Sequence, residues 1–325
     1  MMVGDSRVMH ELRTRVMRVA RTSFTVLVEG ESGAGKELVA REIHARSPRH
    51  RGPFVAVNCA ALVETLVEAE LFGIEERTAT GVRGRRGKFE QADQGTLFMD
   101  EVADLSPAAQ AKLLRVIQDM TVERIGGYGS NKIDTRIVVA TNRSLQEMVA
   151  VGRFRADLYY RLSGVEIVVP PLRARREDIP LLVRHFLAIF SPTTTMTIAA
   201  SAMEALVAYE WPGNVRQLAR VLERAVALAS RPEISIGDLP DHLRGVGREV
   251  LGEVRHTDDS LRAWSSRYVH LVLARCGGNK RKACDILDIS YHTLQAHLTY
   301  APAVRINDAD VQATSSLPPI CQAIL

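Results

Sequence analysis

Gly30-Glu-Ser-Gly-Ala-Gly-Lys36 sets glycines and a lysine in the spacing G-x-x-x-x-G-K, after the apolar run Thr25–Glu29 and before a helical pattern. That spacing suits phosphate. Gly33 and Gly35 let backbone N–H groups turn inward around an anion, and the N-terminus of the following helix adds positive potential. Lys36 supplies a point charge toward the β- and γ-phosphates. Gly30, Glu31, Ser32, Gly33, Ala34, Gly35, Lys36 and Glu37 are therefore the candidates for holding a nucleoside triphosphate. The competing reading, a glycine-rich turn with a surface lysine, fits the strand-loop-helix context poorly.

Glu37 stands where a Ser or Thr usually touches magnesium, so a second metal-holding group is needed. Gly95-Thr-Leu-Phe-Met-Asp100-Glu101 supplies one, an apolar run ending in paired carboxylates. Asp100 is expected to hold Mg2+ through water, and Glu101 to polarise the attacking water. ATP and Mg2+ are the cofactors this pairing implies, and ATP hydrolysis is the reaction.

The elements that would position these groups follow from pattern. Strand candidates are Thr25–Glu29, Phe54–Val57, Thr96–Met99, Arg136–Ala140 and Val165–Val169, with helical patterns such as Glu37–Ala45 and Ala108–Gln118 between them. The alternation predicts an α/β fold with a largely parallel sheet covered on both faces. Pro170-Pro171 ends that regime, and no convincing strand follows. From Ile179 to Leu228 the pattern is helical. Val215, Leu218, Val221, Leu222, Ala225 and Leu228 are predicted to share one face.

Composition bounds the function classes. The 325 residues are 46% hydrophobic and 25% charged, which suits a soluble chain of two or three domains. No run of about 18 apolar residues exists, so a membrane span is not expected. The N-terminus lacks a secretory apolar segment, leaving the cytoplasm as the expected compartment. Cys59, Cys276, Cys284 and Cys321 are scattered, which argues against a disulfide framework or zinc site.

Taken together, GESGAGKELVAREIH, FVAVNCAAL, GKFEQADQGTLFMDE, FRADLYYRL and WPGNVRQL resemble the AAA+ activators of sigma-54 RNA polymerase, the bacterial enhancer-binding proteins, from about Val3 to Leu298. Glutamate at position 37 is common in that family. The resemblance implies an α/β core at 1–170, a helical lid at 171–244, a linker at 245–258, a small all-α helix-turn-helix domain at 259–300 and a tail at 301–325. It also implies roles. Asn58 matches the asparagine that restrains the catalytic glutamate, Asn142 a γ-phosphate sensor, and Arg216 a lid arginine contacting nucleotide. Arg155 and Arg161 match arginine fingers given to a neighbouring subunit, which implies self-association into a ring, a hexamer in this family. Without the match, ordinary ion-pairing arginines on a helix would be an even reading of the two. No sensing domain precedes Val3 in the sequence, so control is expected in trans.

One stretch departs from the family. Where relatives carry Gly-Ala-Phe-Thr-Gly-Ala to touch the sigma factor, this chain has Arg77-Thr-Ala-Thr-Gly-Val82. Thr80 and Gly81 match; the aromatic, the group that would bury apolar area in a partner, is Ala79. Arg83, Arg85, Arg86 and Lys88 follow. Two readings stay open: the loop still engages sigma-54 polymerase, or the chain is a DNA-binding AAA+ regulator or repressor that acts elsewhere.

Beyond the linker, Ser260 is read as the cap of a helix with Leu261, Trp264, Tyr268 and Leu271 on one face. Asn279 caps Lys280–Leu287, Asp288-Ile289 turn the chain, and Ser290 caps a third helix with Leu294 and Leu298 inward. This is a helix-turn-helix pattern, and it resembles the Fis-type module. From Leu261 to Tyr300 six cations face two aspartates, an excess of +4 that equals the whole chain's net charge. Duplex DNA is the expected partner, through Lys280, Arg281 and Lys282 on phosphates and Tyr291, His292 and Gln295 in the groove. The presumed recognition helix has no Arg or Lys, so weak or altered binding is part of this reading. A packing or dimerisation module is the alternative.

Overall fold

The structure is a computed structural model that describes residues 2–60, 64–76, 84–127, 129–244, 265–266, 268–270, 272–273, 276 and 278–299. The chain divides into two compact units, Met1–Arg244 and Gly245–Leu325.

The first unit is built on a five-stranded sheet of β1 (Val26–Glu29), β2 (Phe54–Asn58), β5 (Thr96–Asp100), β8 (Arg136–Thr141) and β9 (Val165–Val168), in the order β2-β5-β8-β1-β9. Every pairing is parallel. Alternate side chains go to opposite faces, as a pleated strand requires. Leu27, Leu97, Met99, Ile137 and Val139 join one buried cluster, while Val26, Val28, Phe98, Val138 and Ala140 join another. Both faces are therefore core, which is why these strands read as nearly continuous apolar runs.

Helices cover the faces. α1 (Arg7–Ala20) and α2 (Lys36–Ala45) bury Met9, Leu12 and Val16, and Val39, Ala40 and Ile43, on one side. α5 (Pro107–Asp119) lies on the other, started by Ser106 accepting from Ala109 N–H and by Pro107 at its first position. Arg136 ties strand to helix, its guanidinium donating to the carbonyls of Val19 (2.7 Å) and Ala20 (2.8 Å) at the end of α1. A cation at a helix C-terminus is favourable there, although burial pulls its pKa down to about 10.

An excursion leaves the core after α3 (Glu64–Phe72). β3 (Gly73–Ile74) and β4 (Arg85–Arg86) pair antiparallel and lead into α4 (Lys88–Gln91). Gly73 is required in that pair: its φ is +85°, and a Cβ there would meet the Arg85 carbonyl at 2.6 Å. A second hairpin, β6 (Thr121–Glu123) with β7 (Ser130–Lys132), is stitched to the first, Glu75 N–H donating to Ile125 O and Ile125 N–H to Gly73 O, both 3.0 Å. Thr80 and Gly81 lie outside the described residues.

Past α6 (Leu145–Ala150), α7 (Ala156–Leu162) and β9, the lid follows. A 3-10 segment, Leu172–Asp178, leads to α8 (Ile179–Phe190), α9 (Ala200–Ala208) and α10 (Asn214–Leu228) around the buried Trp211, whose indole N–H donates to Leu206 O at 2.7 Å. Two corrections to the sequence reading arise here. Strands do follow Pro171: β10 (Thr197–Ile198) and β11 (Glu233–Ile234) pair parallel, too short to leave a period-two signal. Leu228 is also exposed rather than inward, because the last turn of α10 runs beyond the lid core that buries Leu218, Val221, Leu222 and Ala225.

In the second unit, helical residues at 265–266, 268–270 and 272–273 precede α11 (Lys280–Leu287) and α12 (Tyr291–Leu298). Asn279 Oδ1 accepts from Lys282 N–H, Ser290 Oγ accepts from Thr293 N–H, both 3.1 Å, and Asp288 turns the chain at φ +51°. Val269, Val272, Ala283 and Leu294 form the core, with Leu298 packed against it. Tyr268 is exposed, against the sequence expectation, because the inward row runs through Ser266, Val269 and Val272. Ser260, Leu261, Trp264 and Leu271 fall outside the described residues.

Candidate functional site

The phosphate loop joins β1 to α2, and its backbone turns through positive φ at Gly30 (+157°), Gly33 (+74°) and Gly35 (+109°), conformations that let N–H groups face an anion. Lys36 opens α2 with its side chain buried, its ammonium donating to Gly30 O at 2.9 Å and facing Glu101 Oε1 at 3.4 Å. Asp100 ends β5 and Glu101 follows at φ +54°, a left-handed residue that swings its carboxylate across to the loop. The other Glu101 oxygen accepts from Asn142 N–H at 3.1 Å, just past the end of β8. So Lys36, Asp100, Glu101 and Asn142 meet where the carboxyl ends of three adjacent strands open, the usual place for a ligand in such a sheet.

Asp100 is half-buried, and burial first, then the Glu101 carboxylate, push its pKa up, while Lys36 pulls it down. Asn58 lies opposite Asp100 in register on β2. Its side-chain oxygen accepts from Ala60 N–H at 2.9 Å, and here Glu101 is held by Lys36 and Asn142 instead. Glu37 is exposed and turned to Arg41, 2.7 Å away one turn on. Cys59, between these groups, is buried, and burial beside Asp100 lifts its thiol to about 12.

A cavity of about 570 Å³ runs from this polar end to an apolar one. Ser32 through Val39, Asn58, Asp100 and Glu101 line the first; Met2, Val3, Met9 and Leu12 from the N-terminal segment and Leu182, Phe186, Val215 and Ala219 from the lid line the second. The volume lies within the usual range for ligand clefts, and a polyphosphate at one end with a flat base at the other fits the lining. Magnesium fits too, by donor chemistry. No cluster of three or more His, Cys, Asp or Glu that could hold a metal occurs among the described residues. Magnesium in phosphate sites takes one or two carboxylates with the substrate's own oxygens, which the Asp100-Glu101 pair provides.

The lid closes over the loop. Arg216 lines the cavity, its N–H donating to Gly33 O at 3.3 Å and its guanidinium lying 3.4 Å from Ser32 Oγ. Sequence reasoning missed the other lid contacts. Arg173 grips Glu31 with two bonds of 2.7 and 2.5 Å, Asn214 Nδ2 reaches Glu31 and Ser32 O, and the buried Arg175 donates to Ala34 O at 2.9 Å. Their signal was faint: Asn214 sits in the WPGNV motif, but the arginines follow Pro170-Pro171 as an ordinary charged run.

Arg155 and Arg161 sit on the exposed surface around α7, and neither lines the cavity of its own chain. Arg155 pairs with Asp157 at 2.8 Å. In the second unit Tyr291, His292 and Gln295 are exposed on α12, Arg281 and Lys282 are exposed at the start of α11, and Lys280 Nζ lies 3.4 Å from Gln295 Oε1.

Comparison with known proteins agrees with this geometry. The profile of the Sigma-54 interaction domain matches residues 2–168, and that of the AAA+ ATPase lid domain matches 173–250. The chain belongs to the sigma-54-interacting AAA+ family of transcriptional regulators. It is 46% identical over 305 residues to the transcriptional regulatory protein ZraR of Klebsiella oxytoca, covering 92% of this chain and 68% of that protein. It is 44% identical over 305 residues to the regulatory protein AtoC of Escherichia coli K12, covering 90% and 66%. Among solved structures, NtrX from Brucella abortus in complex with ADP superposes with a TM-score of 0.71 at 38% identity, over 92% of this chain and 68% of that one. This AAA+ chain is an ATPase.

Proposed function

We propose that this ATPase assembles into a ring, a hexamer, and uses ATP hydrolysis to remodel sigma-54 RNA polymerase at promoters to which its C-terminal unit binds. The observation that carries the reading is the pairing of Glu101 with Lys36 and Asn142 at the mouth of a nucleotide cavity, an intact hydrolytic set rather than a decayed one. Its parts divide the work. Lys36 and the loop N–H groups bind the phosphates, Glu101 takes the proton of the attacking water, Asn142 reads the γ-phosphate, and Asp100 holds Mg2+, which supplies charge neutralisation when bound. Asn58 restrains Glu101 between turnovers by donating its Nδ2–H to the carboxylate while its oxygen keeps the Ala60 N–H.

Arg155 and Arg161 act in trans. Their distance from their own cavity supports that, since a guanidinium helps only where it reaches the transferring phosphoryl group. Release of Arg155 from Asp157 accompanies ring closure. Duplex DNA is held by the second unit, where Lys280, Arg281 and Lys282 crowd the positive end of α11. Cations there oppose the helix dipole, a cost that phosphate removes. No helix among the described residues is long and apolar enough to cross a membrane, and a cytoplasmic site of action fits these partners.

A second reading is kept by one observation: Ala79 and Arg77 stand where relatives carry phenylalanine and glycine. On it the chain is a DNA-binding regulator or repressor that does not act on sigma-54. Open-complex formation by sigma-54 polymerase, measured with and without ATP, tests the two. ATP-dependent opening supports remodelling. Its absence in wild type, with gain in the Ala79→Phe, Arg77→Gly variant, shows that the loop is the missing element and supports the second reading.

A further inference from the structure

Three successive carbonyls of the phosphate loop are tethered to the lid. Ser32 O accepts from Asn214 Nδ2 at 3.1 Å, Gly33 O from Arg216 N–H at 3.3 Å, and Ala34 O from Arg175 Nη2 at 2.9 Å. In a trans peptide plane the carbonyl of one residue and the N–H of the next point in opposite directions. Tethering these carbonyls toward the lid therefore turns the N–H groups of Gly33, Ala34 and Gly35 away from it. Ala34 N–H bonds Glu31 O within the loop at 3.2 Å. The rest are left for the anion.

The donors come from two lid segments, Leu172–Asp178 and the start of α10, which Asn214 joins by accepting Leu172 N–H on its own oxygen at 2.7 Å. Asn214 is fully buried at φ +52°, a backbone state that persists only where surroundings over-determine it. The approach is as close as backbone allows, for a Cβ on Gly33 would stand 2.4 Å from Gly213 O. Gly33 thus answers to the lid as well as to the phosphates.

Glu31 completes the arrangement and looks out of place in it: a carboxylate inside a loop that receives polyanions. Arg173 takes both of its oxygens and Asn214 shares one, holding its pKa down to about 2. Both members of the ion pair are about two-fifths exposed, 40% for Glu31 and 42% for Arg173, where such a pair adds little to folding stability. Its two-pronged geometry instead fixes the direction in which the lid meets the loop.

We propose that the lid holds the phosphate loop in its anion-receptive form, with Glu31, Arg173 and Asn214 as positioning residues for the nucleotide. The coupling is reciprocal: whatever occupies the loop biases the lid by the same free energy with which the lid biases binding. The proposal rests on the ATPase reading of the cavity and is independent of the sigma-54 target.

The test uses the full chain and compares Glu31→Gln with Arg173→Gln. Removing a carboxylate near phosphates would, by charge alone, tighten ATP, and removing an arginine would weaken it. Positioning instead makes both variants weaker. Each is expected to raise KM for ATP and Kd for ADP about three- to tenfold, with kcat falling less than KM rises. The double variant is expected to be no worse than the worse single, because both break one contact. Arg173→Lys is expected to recover part of the loss, and melting without nucleotide to stay within about 2 °C of wild type. Tighter ATP binding by Glu31→Gln, additive losses in the double variant, or a fall in melting temperature with KM unchanged would each overturn the proposal. Lys36→Ala separates the readings: wild-type ATP affinity in that variant would remove the nucleotide site itself.

Discussion

At the residue scale the chemistry is concentrated in four groups whose roles differ by what they touch. Lys36 spends its charge on Gly30 O and Glu101 until phosphates replace them, so Lys36→Ala is expected to lose ATP binding in a filter or fluorescence assay, by about a hundredfold or more. Glu101→Gln keeps the shape and removes the proposed base; ATP should still bind while turnover falls about 10²–10⁴-fold, the usual worth of a positioned general base. Near-wild-type turnover would move the base elsewhere. Glu31 carries a pH signature. Its folded pKa of about 2 lies below its ordinary 4.5, so the stability it adds is present above about 4.5 and lost as pH falls toward about 2. In acid titrations followed by circular dichroism, any deficit of Glu31→Gln at neutral pH should be small, within about 2 °C in melting, and should vanish as that window is crossed; a gap that persists below it would deny the linkage. Asp100 works in the opposite direction. Its raised pKa means that the carboxylate proposed to hold Mg2+ is protonated earlier on acidification than an exposed aspartate would be.

At the scale of elements the decisive fact is that β1, β5 and β8 are neighbours in the sheet although far apart in sequence, so one cavity collects their carboxyl ends. α7 then presents Arg155 and Arg161 away from it, beside Tyr160, which is 75% exposed. Arg161→Ala is accordingly expected to bind ATP normally and lose turnover by about 10³–10⁵-fold at saturating protein. Mixing it with Lys36→Ala subunits provides the sharper check. Interfaces that join an intact finger to an intact loop should regain activity, and no regain in the mixture would count against action in trans. The β3-β4 pair is joined to the β6-β7 hairpin by hydrogen bonds among Gly73, Glu75 and Ile125.

At the scale of the molecule, two compact units carry chemistries that respond to salt differently. The cavity is walled in by lid and core, whereas Arg281 and Lys282 of the second unit are exposed. Replacing Lys280, Arg281 and Lys282 together with glutamine is expected to weaken duplex binding and to reduce the slope of log affinity against log salt by about 2–3. ATP hydrolysis measured off DNA should be unaffected. An unchanged salt slope would place the DNA contact on another surface. Among the described residues Cys59, Cys276 and Cys284 are free thiols.

Local pattern was enough to determine the five strands of the main sheet to within a residue, the phosphate loop, the paired carboxylates and both helix caps of the helix-turn-helix, because each is set by neighbours a few residues away; the six shorter strands among the described residues left no such pattern. The motifs also carried the family. Tertiary structure alone decided the rest. The apolar end of the cavity is assembled from Met2, Met9, Leu182 and Phe186, and the grip on the loop from Arg173, Arg175 and Asn214, groups about 140 to 180 residues from Glu31 and Ala34. Such residues have no period to betray them, since their spacing in sequence is set by the length of the fold between them. The inward row at Ser266, Val269 and Val272 was misjudged by one position for a related reason: rotation of a short helix is fixed by what it packs on, and only the assembled core says which face that is.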